Sequence, residues 1–91
     1  MNKQEFINFI ETKAKLKYTK DSYGNYKATD SKGIVIRYKI QATSVRHERQ
    51  DAYEDFDGKK QNMWTKLWSE YYKNLEINLE TGRLRRISNQ K

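Results

Sequence analysis

Ninety-one residues, 19 Lys and Arg against 12 Asp and Glu, 35% hydrophobic content and no cysteine describe one small basic chain. That length excludes a second sizeable core, and the missing thiols exclude disulfides, thiolate metal sites and a cysteine nucleophile. No apolar run is long enough for a membrane span, and MNKQEFINFIE lacks the apolar stretch of a secretory signal, so a cytoplasmic protein without a membrane partner is expected.

Residues 2–16 read as an amphipathic helix. Asn2 followed by Glu5 makes a capping box, and Phe6, Phe9, Ile10 and Ala14 share one side with Ile7 at its margin. Lys13 and Lys17 intrude on that side, so the helix should loosen after residue 14. Residues 18–33 are turn-rich. Gly24-Asn25 and Ser31-Lys32-Gly33 both suit chain reversals, and a short hairpin is expected there.

The clearest strand is IVIRYKIQATSV. Ile34, Ile36, Tyr38, Ile40 and Ala42 alternate with Val35, Arg37, Lys39, Gln41 and Thr43, which sends the first set inward and puts Arg37 and Lys39 on a solvated face. Residues 46–62 admit three readings: a continued strand, a helix capped by Ser44, or an exposed loop. Within them, 48–60 could form a mobile acidic loop.

In MWTKLWSEYYKNL, Trp64, Leu67, Trp68, Tyr71, Tyr72 and Leu75 recur at helical spacing, and a helix over about 61–74 is predicted, its aromatics facing a core rather than forming a base-stacking platform. A twisted strand ending in a Lys73-Asn74 turn is the competing reading. Tyr71 or Tyr72, with a polar tip, should lie at the rim. The chain closes on a hairpin: Leu75, Ile77 and Leu79 alternate, Glu80-Thr81-Gly82 turns, and Arg83, Arg85 and Arg86 crowd the returning arm. The last four residues, SNQK, should fray.

Leu, Ile, Val and Phe supply only 17 residues, a level that at a net charge of +7 borders on disorder. Two Trp and seven Tyr offset this, each burying roughly 150–250 Å² when packed. The expectation is a single α+β domain over 1–91: an N-terminal amphipathic helix and a second helix packed on a small antiparallel sheet, built from residues 34–43 and 75–87 and ending in the C-terminal hairpin. A homodimer would help to stabilise so small a core. Abundant Lys, Asn, Ile and Tyr with no Pro indicate an AT-rich gene, and the size and bias resemble small bacteriophage or mobile-element reading frames. A bacterial or phage-infected bacterial cell is the expected setting.

Charge is segregated: residues 1–33 carry +3, 34–49 carry +3, 50–57 carry −4 and 58–91 carry +5. The basic excess outside QDAYEDFD should attract polyanions. His47 lies between Arg46 and Arg49, which disfavour its protonation, and Glu48, which favours it; no nucleophile or orienting partner accompanies it in sequence. DAYEDFDG fits a calcium loop only at Asp55, Asp57 and Gly58 and fails at both ends, so a solvated acidic segment is preferred. The Arg-Arg-x-Ser of RLRRIS is too common a match to carry weight.

The expected function is therefore non-enzymatic, with no metal or cofactor: a basic binding protein that contacts nucleic acid mainly through phosphates, using Arg37, Lys39, Arg46, Tyr72, Arg83, Arg85 and Arg86. Tyr38 and Tyr72 beside these cations would suit single-strand binding. The alternative is a protein that inhibits or modulates a host nucleic-acid-processing enzyme by protein–protein contact.

Overall fold

The computed structural model describes residues 1–78 and 80–87. Leu79 and residues 88–91 lie outside it, and with them the expected inward position of Leu79 and the fraying of SNQK. Among the described residues one helix, α1 (Lys3–Thr12), precedes seven strands: β1 (Thr19–Lys20), β2 (Tyr26–Thr29), β3 (Val35–Ile40), β4 (Ser44–Glu54), β5 (Lys60–Tyr71), β6 (Leu75–Ile77) and β7 (Leu84–Arg86), with a 3₁₀ turn at Tyr72–Asn74. β1 to β5 form an antiparallel meander in sequence order, and β6 and β7 pair as a separate two-stranded sheet.

α1 forms where its cap and stripe require. Asn2 Oδ1 accepts from the Glu5 main-chain N–H at 2.8 Å while Glu5 Oε1 accepts from the Asn2 N–H at 2.7 Å, which satisfies two donors that a helix start leaves open. Phe6, Phe9 and Ile10 are its buried face. The helix stops at Thr12, short of Lys13 and Lys17, whose charge would have to follow that stripe inward.

The expected second helix does not exist. Residues 60–71 are β5, paired with β4 from Glu54↔Lys60 to Ser44↔Tyr71. Two features made this strand imitate a helix. Its outer half is exposed on both faces, so alternation carries no burial signal there. The ladder also slips by one residue, with His47 opposite Trp68 and Glu48 opposite Lys66, and Leu67 is the extra residue of a β-bulge. Trp64 and Trp68 therefore point to opposite faces although four residues apart, and the apolar positions drift as they would on a helix. The second correction concerns the sheet: 75–77 and 84–86 do not join the strand at 35–40 but form their own ribbon. Of the three readings of 46–62, the strand is observed, continuing into β5 through a turn at 55–59, so the acidic segment 48–60 is strand and tight turn.

Three hairpins share one turn, DxxGx: Asp21-Ser-Tyr-Gly-Asn, Asp30-Ser-Lys-Gly-Ile and Asp55-Phe-Asp-Gly-Lys. In the last, Asp55 Oδ1 accepts from the N–H groups of Asp57 (3.0 Å) and Lys59 (2.9 Å), and Gly58 takes φ +76°, where a side chain would be strained. Asp21 and Asp30 repeat these bonds two and four residues on. The reversals expected at Gly24-Asn25 and Ser31–Gly33 are the first two of these turns.

The core lies between α1 and one face of the meander. Tyr26, Tyr38, His47 and Trp68 form a cross-strand row on that face. Phe6, wholly buried, meets Tyr38 edge-on at 5.1 Å and Tyr72 at 5.7 Å. Truncating Phe6 to Ala should cost about 3–5 kcal/mol, a large part of the roughly 5–15 kcal/mol that stabilises a domain. The β6–β7 ribbon covers the same side, with Leu75 in the core and Ile77 and Leu84 packed against it.

β3 ends opposite Arg49, so Gln50–Glu54 and Lys60–Trp64 pair only with each other. These five pairs form an arm about 17 Å long. The radius of gyration is accordingly 14.9 Å, against about 12 Å for a compact chain of this length.

Candidate functional site

Residues directly opposite in adjacent antiparallel strands share a face. Lys27, Arg37, Glu48 and Lys66 therefore form a row across β2 to β5 on the face away from α1. Lys39, Arg46 and Ser69 form the next row, and Gln50 with Trp64 flanks it on the other side. Among the described residues neither the helix nor the β6–β7 ribbon packs on this face. It presents Lys27, Arg37, Lys39, Arg46 and Lys66 against a single carboxylate in those rows, Glu48.

That carboxylate organises the site. Glu48 is 4% exposed, buried beneath its own neighbours. Its Oε1 accepts from Arg37 Nε at 2.7 Å, and its Oε2 lies 3.0 Å from Arg46 Nε. The second contact is an ion pair without hydrogen-bond alignment, since Arg46 Nε has no hydrogen-bond partner among the described residues. The Arg37 guanidinium also lies 4.1 Å over the Trp64 ring. Carboxylate and indole together hold Arg37 nearly rigid, and a planar guanidinium so held keeps its terminal N–H groups for a further acceptor. Lys27, Lys39 and Lys66 are exposed and have no ion pair among the described residues. Chemically the arrangement is a flat, rigid array of donors suited to phosphate or carboxylate oxygens.

The predicted site residues separate into three places. Arg37, Lys39 and Arg46 come together on the open face. Arg83, Arg85 and Arg86 lie on the β6–β7 ribbon, on the core-covering side, where Arg85 pairs with Glu76 and Arg86 Nε with Glu70 at 2.9 Å. Arg83 is exposed. Of the two tyrosines expected at the rim, Tyr71 is 54% exposed, whereas Tyr72 is 3% exposed and its hydroxyl donates to the Gln41 carbonyl at 2.7 Å. Tyr38 is buried as well, so neither Tyr38 nor Tyr72 can stack a base. The aromatics in register with the open face are Trp64, under Arg37, and Tyr71, opposite Ser44 at the strand end. Lys27, Glu48, Lys66 and Trp64 were missed. The alternation in YKAT marks Lys27 as outward, whereas the helical reading of 61–74 hid Trp64 and Lys66.

His47 sits between aromatic rings, with Tyr38 at 4.4 Å and Trp68 at 5.5 Å. Burial lowers its pKa, opposed by a main-chain hydrogen bond to Arg37, and its Nδ1 has no partner among the described residues. Burial, not the flanking charges read in sequence, sets that direction. Asp55 uses its carboxylate on the turn, and no group of three His, Asp or Glu residues gathers as a metal site among the described residues. No helix is long and apolar enough to cross a membrane among the described residues. Comparison of the chain with protein-family models, curated proteins and solved structures finds no match.

Proposed function

We propose that the open face of the meander binds nucleic acid through its phosphates, without reading sequence. The supporting observation is the gathering of Lys27, Arg37, Lys39, Arg46 and Lys66 on one uncovered sheet face, two of them held by a buried carboxylate. A polyanion lying across these rows meets several cations at once and releases their counterions, which gives affinity without base contacts. The β6–β7 arginines are excluded from this surface by their position, and Arg85 and Arg86 also by their carboxylate partners.

Fluorescence anisotropy with labelled single- and double-stranded oligonucleotides across a salt series tests the reading. Lys39→Ala and Lys66→Ala should each weaken binding to all sequences alike and reduce the log–log salt slope by about 1. Affinity that does not respond to salt, or no retention of nucleic acid, contradicts it. Capture of one host protein after nuclease treatment, with no nucleic acid retained, would favour the enzyme-modulating alternative.

A further inference from the structure

The arm formed by β4 and β5 adjoins the open face only through Gln50 and Trp64 at its base, and further out it exposes apolar groups unusual for so polar a chain. Tyr53 and Met63 are about half exposed, and Phe56 at the tip is 108% exposed, its ring fully in water. Three carboxylates, Glu54, Asp55 and Asp57, flank it, with Lys59 and Lys60 following the turn, so residues 54–60 carry a net charge of −1. Asp55 is engaged in the turn, while Glu54 and Asp57 have no side-chain partner among the described residues. The tip is thus an exposed aromatic ring with these two carboxylates, of Glu54 and Asp57, on either side of it in sequence. An exposed ring beside such carboxylates suits an apolar recess with a basic rim.

That recess occurs at the opposite end of the same molecule. A groove of about 480 Å³ is lined by Met1, Ala42, Tyr71 and Tyr72 and rimmed by Lys3 and Lys73. Neither lysine has an ion pair among the described residues, and Lys73 Nζ lies 5.8 Å over the Tyr71 ring. β4 leaves this end at Ser44 and reaches the tip after Glu54, and β5 returns to Tyr71. The tip therefore cannot reach its own groove: an eleven-residue strand separates them by about 37 Å, along a molecule 48 Å in its longest dimension.

We infer that Phe56 of one copy seats in the Lys3/Lys73-rimmed groove of a second copy, in a reciprocal antiparallel dimer. Two elongated molecules laid side by side in opposite directions place each tip at the other's groove, which closes both contacts about one two-fold axis. The outer edge of β5 has no strand partner among the described residues and faces its counterpart in this arrangement. Lys66 and the Leu67 bulge interrupt that edge, so tip and groove carry the contact rather than a continuous ladder.

Sedimentation velocity on the nucleic-acid-free full chain across a dilution series tests the inference. The expected species has twice the 11.0 kDa chain mass. Phe56→Ser, at a solvent-exposed turn position, should leave the circular dichroism spectrum unchanged and weaken dimerisation by roughly tenfold or more. Asp57→Lys should also weaken it, and adding Lys73→Glu to the same chain should restore it. A wild-type chain that stays at monomer mass throughout, a dimer indifferent to Phe56→Ser, or a charge swap that fails to restore association overturns the assignment. Phe56-dependent assemblies larger than a dimer overturn the closed arrangement. Lys39→Glu, on the open face, should leave the mass unchanged, so this result stands or falls separately from nucleic-acid binding.

Discussion

Glu48 holds two guanidinium groups on a face that neither the helix nor the β6–β7 ribbon covers among the described residues, and its removal has two opposed consequences. Glu48→Gln preserves shape but leaves Arg37 and Arg46 close together without a counter-charge. Breaking a fully buried pair costs several kcal/mol, but the Arg46 side chain is 42% exposed and water screens it, so a loss of about 2 kcal/mol in urea denaturation is expected. The same variant should bind nucleic acid more tightly, because both arginines become available to phosphate. His47 makes the second residue-level prediction. Its folded pKa lies below the ordinary 6.5 because burial disfavours the imidazolium. The unfolded chain therefore takes up a proton before the folded one, and stability falls as the pH drops below that value. Asp51, Asp55 and Glu70, whose carboxyls are held below 3.8, 3.8 and 4.5, lose their contributions only in more acidic solution. His47→Phe, which keeps a ring between Tyr38 and Trp68, should flatten the thermal midpoint between about pH 7 and about pH 5. An unchanged slope would show that His47 is not the group responsible.

Turns and the β5 bulge decide the architecture at the scale of elements. Gly58→Ala places a side chain at φ +76° and should cost about 1–2 kcal/mol, read from the denaturation midpoint. The bulge offers a sharper test. Deleting Leu67 joins Lys66, opposite Glu48, directly to Trp68, opposite His47, and leaves every other side chain on its present face. Deleting Thr65 instead turns Trp64 and the strand before it to the opposite face. Near-UV circular dichroism should stay close to wild type for the first deletion and lose the signal of an ordered Trp64 for the second. The same two features explain what could be read in advance. Residues 34–42 alternate visibly because β3 is buried on one side only, and Arg37 and Lys39 were legible as outward for that reason. The N-terminal helix was legible from Asn2, Glu5 and its phenylalanines. β5 was not, because a one-residue slip and two exposed faces erase period two. Glu48 and Lys66 were hidden with it, since their places follow from cross-strand register rather than from local pattern. The thrice-repeated DxxGx was present throughout and marks three of the four meander hairpins, including the one joining β4 to β5.

For the molecule as a whole, the arrangement of charge matters more than the net +7. The meander separates it into an open basic face, an acidic aromatic tip and a ribbon on the core side where Arg85 and Arg86 are paired with carboxylates. A polyanion should therefore be sensitive to one of the two arginine- and lysine-rich regions and nearly indifferent to the other, although sequence made both equal candidates. The most direct measurement is the salt dependence of oligonucleotide binding for Lys39→Ala/Lys66→Ala beside Arg85→Ala/Arg86→Ala. Loss of about two units of log–log slope in the open-face pair, with the ribbon pair within error of wild type, is the predicted result. Equal losses in both pairs, or a larger loss in the ribbon pair, would contradict the assignment of binding to the open sheet face.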